Sequence, residues 1–111
     1  MFHRDTTDQI TDYLVYLYDK VLLGGSLRNE QYSIAAKTGT AQLADRETGK
    51  YAEGKFLHSF FGYFPAYNPS YIVFIFTVDP KEASFASQTI AEPFDKLSDF
   101  IIRHYAIPPD R

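Results

Sequence analysis

Residues 71–78, Tyr-Ile-Val-Phe-Ile-Phe-Thr-Val, limit most sharply what this chain can fold into. The segment has no charge, no Gly and no Pro, and it is rich in β-branched and aromatic residues, so it reads as a strand. Both of its alternating residue sets are apolar, which asks for a central strand covered on two faces. Two other stretches read as strands: residues 32–42, which open on the alternating Tyr32-Ser-Ile-Ala-Ala, and residues 57–64, Leu-His-Ser-Phe-Phe-Gly-Tyr-Phe. Residues 43–56 are polar, with Glu47-Thr48-Gly49-Lys50 as a turn signal. Pro65 and Pro69 mark the next turn, since neither can donate to a central ladder.

Helices are expected at both ends. Thr6, Thr7 and Asp8 offer N-cap oxygens for a helix over about 6–23, whose apolar face is Ile10, Leu14, Leu17, Val21 and Leu22. Gly24-Gly25 would end it in the left-handed conformation. After a break at Asp79-Pro80-Lys81-Glu82, a second helix runs from about 89 to 105. Pro93 lies in its early part, and Phe94, Leu97, Phe100, Ile101 and Tyr105 form its stripe. Pro108-Pro109 closes the pattern. The fold class is therefore α+β: an antiparallel three-stranded meander flanked by helices, in the order α-β-β-β-α. In such a meander 71–78 falls at an edge, where a long apolar strand is an aggregation hazard. Its neighbouring strands are accordingly expected in sequence outside this chain, and residues 1–111 read as a single, incomplete domain.

Composition excludes several classes. The 11 basic residues are scattered and the net charge is −3, which leaves no basic stripe for a nucleic acid. There is no Cys, so disulfides, thiolate metal sites and Cys nucleophiles drop out. No apolar run approaches the ~20 residues that span a bilayer, and the Met1-Phe-His-Arg start has no apolar core of a signal peptide. Any membrane association is expected through an upstream anchor. No cofactor is implied. The ten Phe and nine Tyr fit core and sheet packing.

The chemistry-bearing stretch is Ala35-Ala-Lys37-Thr38-Gly39-Thr40-Ala-Gln42. Lys-Thr-Gly on a strand is one of three elements that serine acyl-transferases of the penicillin-binding type gather around a nucleophile. The other two, Ser-x-x-Lys and a Ser-x-Asn-type element, are absent. Serines stand at 26, 33, 59, 70, 84, 87 and 98; none has Lys three residues later and none begins Ser-x-Asn. Period-two alternation puts Lys37 and Thr38 on opposite faces, so both serve one site only along an open strand edge. That placement favours an edge strand. An extended peptide can then lie alongside as an added strand, and Gly39 has no side chain to block it.

These residues carry a family likeness. The chain resembles the C-terminal part of the transpeptidase domain of a class B penicillin-binding protein. Four features match in order: Ala36–Gln42 as the third active-site motif; His58-Ser-Phe-Phe-Gly-Tyr-Phe-Pro65 as the Phe-x-Gly-Phe-x-Pro strand; Pro69 to Pro80 as the last strand; and Ala91-Glu-Pro-Phe94 with Tyr105-Ala-Ile-Pro-Pro-Asp110 as the last helix and its exit. Glu92-Pro93-Phe94 departs from the family, which more often has Ala before the Pro and an apolar residue between Pro and Phe; this bears on packing, not chemistry.

The resemblance implies a partial penicillin-binding transpeptidase fold and a peptidoglycan DD-transpeptidase acting through an acyl-serine. Lys37 would shape the electrostatics near the nucleophile. Thr38 and Thr40 would bind the carboxylate of a stem peptide or of a β-lactam. The Thr40 N–H would be half of the oxyanion hole, making Lys37 and Thr40 the catalytic pair and Lys37, Thr38, Gly39 and Thr40 the substrate-binding set. The expected partners are stem peptide, β-lactams and the remainder of the transpeptidase domain, at the extracytoplasmic face of a bacterial membrane. Alone, the chain is expected to be inactive. Two alternatives stay open: a stand-alone non-catalytic binding or assembly module, and a piece of a serine β-lactamase or β-lactam sensor.

Other polar residues have simpler readings. His58 reads as a polar residue at a strand start, and His104 as a cation near a helix C-terminus. His3, Asp5 and Asp8 have loose metal-like spacing on a terminus and read as exposed. Asp45, Arg46 and Glu47 read as a solvated loop.

Overall fold

A computed structural model of the chain describes residues 3–79 and 89–111. Helix α1 covers Arg4–Tyr16 and runs into a π-helical turn, Leu17–Val21, and a 3₁₀ turn, Leu22–Gly25. Three strands follow, β1 at Ala35–Ala44, β2 at Tyr51–Phe64 and β3 at Tyr71–Val78, and helix α2 covers Ala91–His104. The sheet is antiparallel in the order β1-β2-β3. The expected α+β meander with flanking helices is thus the observed architecture. From Pro80 on, the expected break lies outside the described residues.

Period two sorts the side chains. The register pairs Ala36 with Gly62, Thr38 with Phe60 and Thr40 with His58; Gly62 in turn faces Val73, and Phe60 faces Ile75. These residues share the face that α2 covers. Phe60, Phe64 and Phe94 are fully buried there, the Phe60 and Phe94 ring centroids 4.4 Å apart. Each such side chain contributes about 1.5–3 kcal/mol by leaving water. Gly62 is required at this point: a Cβ would collide with the Phe94 ring and come within 3.0 Å of the Ala35 carbonyl oxygen. The opposite face packs Ala35, Phe61, Tyr63 and Ala66 against Leu14 and Val15 of α1.

Several boundaries and faces differ from the sequence reading. Helix α1 begins at Arg4, and His3 caps it without a side-chain hydrogen bond, so Thr6, Thr7 and Asp8 do not act as N-caps; the Thr7 hydroxyl instead donates to the Arg4 carbonyl. The buried face is Thr11, Leu14, Val15, Tyr18 and Leu22, while Ile10 and Val21 are exposed. The π turn explains the change of phase. It adds residues to the helical turn and swings Tyr18 and Leu22 from the α1 cluster to the α2 cluster. The left-handed stop includes Leu23 as well as Gly24 and Gly25. On α2 the buried residues are Ala91, Phe94, Ser98 and Ile102, whereas Leu97, Phe100 and Tyr105 are exposed. The β1–β2 hairpin is longer than expected, because residues 51–56 pair as strand; the turn sits at 45–50, with Gly49 at φ +70°.

Strand β3 is covered on one face. Val73 is buried, while Ile72, Phe74, Phe76 and Val78 are 57–71% exposed on the other face. Among the described residues no strand pairs with its outer edge. The two-sided cover that its sequence demands is not supplied by the described residues.

Candidate functional site: the open edge of β1

Strand β1 is the other edge of the sheet, and Lys37, Thr38, Gly39 and Thr40 lie in its middle. Every second residue of an edge strand turns its N–H and C=O away from the neighbouring strand. The outer side of β1 therefore offers a row of backbone donors and acceptors to an extended ligand. Lys37 and Gly39 fall on the α1 side of the sheet, and Thr38 and Thr40 on the α2 side, as alternation requires. Lys37 is exposed, and its Nζ donates to the Thr38 carbonyl at 2.8 Å. The ammonium thus rests on its own strand, at the edge.

Beneath this edge sit two residues that sequence reasoning did not place there. Ser59 faces Gly39 across the ladder, and its Oγ lies 2.5 Å from where a Gly39 Cβ would stand. Ser59 occupies the volume that a side chain at 39 would need. His58 is fully buried opposite Thr40, in the middle of β2 and not at a strand start. Its Nδ1 is 2.9 Å from the Thr89 hydroxyl, and among the described residues Nε2 has no partner. Burial follows from register: His58 is on the Phe60 side, beneath the start of α2. Pairing register is the missing signal in both cases, because sequence alone does not say which residue faces Gly39 or Thr40.

The other polar candidates fall elsewhere. His3 is exposed at the cap of α1 and Asp5 and Asp8 are exposed on it, and His104 is exposed in the last turn of α2, stacked on Phe100 at 5.6 Å. Arg46 and Glu47 are exposed in the hairpin turn, and Asp45 is half-buried, with its carboxylate accepting the Glu47 N–H. Among the described residues no three His, Asp or Glu side chains are placed to hold a metal ion, and no helix is long and apolar enough to cross a membrane.

Among the described residues no strand pairs with the outer edge of β1, and Lys37, Thr38, Gly39 and Thr40 lie along it. The family model described as the penicillin binding protein transpeptidase domain matches residues 2–98. The chain belongs to the penicillin-binding protein transpeptidase family. It is 33% identical over 90 residues to Stage V sporulation protein D of Bacillus subtilis, covering 78% of this chain and 14% of that protein. It is 26% identical over 112 residues to the probable peptidoglycan D,D-transpeptidase PenA of Neisseria meningitidis, covering all of this chain and 19% of that protein. Among solved structures, penicillin binding protein 3 of Mycobacterium tuberculosis in complex with ampicillin superposes with a TM-score of 0.77 at 22% identity. That match covers 96% of this chain and 25% of the other. The chain therefore spans less than a fifth of the length of these curated relatives. Its fold is the partial transpeptidase fold expected from the sequence.

Proposed function

We propose that this chain supplies the substrate-binding edge of a serine-type peptidoglycan DD-transpeptidase, and that the nucleophile comes from the remainder of the domain. The observation that carries this reading is the position of Lys37-Thr38-Gly39-Thr40 on an open sheet edge in a transpeptidase fold. A stem peptide, or the acyl-amide part of a β-lactam, lies antiparallel or parallel to β1 and takes main-chain hydrogen bonds from it. The Thr38 and Thr40 hydroxyls hold the substrate carboxylate. The Lys37 ammonium raises the local positive potential, which draws in that carboxylate and favours proton transfer from the serine. The Thr40 N–H, with the N–H of the serine itself, stabilises the oxyanion that forms on acylation.

The reading also accounts for β3. Its outer edge, unpaired among the described residues, and its exposed face of Ile72, Phe74, Phe76 and Val78 are the seat for the remainder of the domain. That remainder would also carry any membrane anchor and place the site at the extracytoplasmic face, where peptidoglycan is built. With no Ser-x-x-Lys the chain alone is inactive.

The test is acylation by a fluorescent penicillin, with this chain alone and with the Ser-x-x-Lys-bearing part of the domain. Label appearing only in the mixture, on the serine-bearing part, and lost with Lys37→Ala, is the expected result. No label in either sample, with both parts folded, would favour a non-catalytic module. Label on this chain alone would contradict the missing nucleophile.

A further inference from the structure

The segment Ile107-Pro-Pro-Asp110, which the sequence presents as an exit, is bonded at both of its ends to the run-in of β1. The Asp110 carboxylate accepts the Ser33 N–H at 2.7 Å and also the Ser33 hydroxyl. The Asp110 and Arg111 N–H groups both donate to the Gln31 carbonyl, at 3.0 and 3.2 Å. The Tyr32 hydroxyl donates to the Ile107 carbonyl at 2.6 Å. The Arg111 guanidinium grips the buried Asp19 carboxylate at 2.7 and 2.8 Å and donates to the Asn29 carbonyl at 3.0 Å. Ser33 passes the restraint on: its carbonyl and its hydroxyl oxygen both accept the Ala66 N–H, at 3.0 and 3.1 Å. One carboxylate thus fixes both the entry of β1 and the turn between β2 and β3.

We propose that Asp110 is a positioning residue for the Lys37–Thr40 edge, acting through Ser33. This rests on the reading of that edge as the substrate-binding strand. Ser33 is buried, and between it and Lys37 stand only Ile34, Ala35 and Ala36, each nearly or wholly excluded from solvent. That stretch has no loop to absorb a displacement, so a shift at Ser33 travels along the strand to Lys37. Catalytic geometry is intolerant of such shifts: about 1 Å of misplacement costs about 100-fold in rate. A carboxylate suits the task because it accepts two donors from one residue in charge-assisted bonds. Asparagine replaces one of the two oxygens with an amide NH₂, so it loses the charge and meets either the Ser33 N–H or the Ser33 hydroxyl with a donor in place of an acceptor.

The experiment compares wild type, Asp110→Asn and Ser33→Ala in two readouts. The first is the rate of acylation by fluorescent penicillin in the mixture with the serine-bearing part, corrected for folded fraction by circular dichroism. The second is amide hydrogen exchange across residues 35–40 in this chain. Asp110→Asn should slow acylation by about tenfold, and Ser33→Ala by a smaller factor, while the thermal midpoint moves by a few degrees only. Exchange at 35–40 should quicken, with the middle of α2 unchanged. An acylation rate that falls only as the folded fraction falls would mean a merely structural clasp and would overturn the proposal. So would unchanged exchange at 35–40 in a folded Asp110→Asn. Should Asp110→Asn not fold, Ser33→Ala decides by the same criteria. Should wild type itself take no label, the functional reading fails, and the exchange comparison alone still decides whether Asp110 holds the strand.

Discussion

Tyr18 links the two helices and gives the molecule a dependence on alkaline pH. Its ring is fully buried edge-on to Phe94, and its hydroxyl donates to the Asp95 carboxylate at 2.6 Å. Burial first, then the bond to Asp95 and the negative charge of Asp95 and Asp19, push its ionisation well above the usual tyrosine range. In the unfolded chain it ionises near pH ~10. The folded state holds the proton more tightly, so the stabilisation is complete below pH ~10 and declines as the pH rises above it. Tyr67, bonded to Asp12 and pushed up to about 12, adds in the same direction from an exposed position. Urea unfolding at pH 8 and at pH 11 should show a clear loss of stability at the higher pH. Tyr18→Phe should flatten that loss while costing about 1 kcal/mol at pH 8 for the missing hydrogen bond. An equal alkaline loss in wild type and Tyr18→Phe would assign the effect elsewhere. Gly39 poses a steric question at the same scale. A Cβ there meets the Ser59 Oγ at 2.5 Å but the Ser59 Cβ only at 3.9 Å. Gly39→Ala should therefore cost about 1 kcal/mol from overpacking, and Gly39→Ala with Ser59→Ala should recover most of it. Strict additivity in that double-mutant cycle would mean that the Ser59 hydroxyl simply turns aside.

Strand β3 is the element whose exposure is most costly. Ile72, Phe74, Phe76 and Val78 stand open on a strand with no charge and no proline, and its edge is unpaired among the described residues. Phe74→Lys with Phe76→Lys should lower self-association in light scattering and leave the circular dichroism spectrum unchanged, because both side chains point away from α2. A lysine at Val73, buried against α2, should instead unfold the chain. Loss of structure in the Phe74/Phe76 variant would show that the exposed face is part of the core. The same strand shows what sequence can tell. Its uncharged run of β-branched and aromatic residues gives its limits, and the aromatic run at 57–64 was legible for the same reason; the strand read at 32–42 starts three residues later, at Ala35, and runs to Ala44. The arm at 51–56 was not, since the exposed Tyr51, Glu53, Gly54 and Lys55 show no apolar alternation to read. The face of α1 was misread because the π turn shifts the helical phase and because Thr11 and Tyr18 bury polar-tipped side chains that an apolar count passes over. Lys37–Thr40 was legible as a local motif on a strand. The bonds of Asp110 to Ser33 were not, because they join positions 77 apart with no pattern connecting them.

At the scale of the whole molecule, two surfaces of opposite character define what the chain needs. One edge of the sheet carries Lys37, Thr38, Gly39 and Thr40, the edge proposed to bind substrate. The other is apolar and, among the described residues, unpaired. The radius of gyration of 15.7 Å exceeds the ~13 Å of a compact domain of about this length. Such a chain should gain stability from whatever covers β3. If the remainder of the transpeptidase domain is that cover, it binds the folded chain and not the unfolded one, and by linkage it stabilises by about 2.7 kcal/mol at a hundred times its dissociation constant. Thermal unfolding of this chain with increasing amounts of the serine-bearing part should show a midpoint that rises with concentration. Binding of a hydrophobic dye to the exposed face should fall in parallel. The Phe74→Lys, Phe76→Lys variant should lose both responses, because lysines at those positions have no place in a buried apolar contact. A midpoint that stays constant, with dye binding unchanged, would mean that the apolar face of β3 is not where the remainder of the domain docks. The likeness to known transpeptidases would then extend to the fold and the Lys37–Thr40 edge but not to the way the domain is completed.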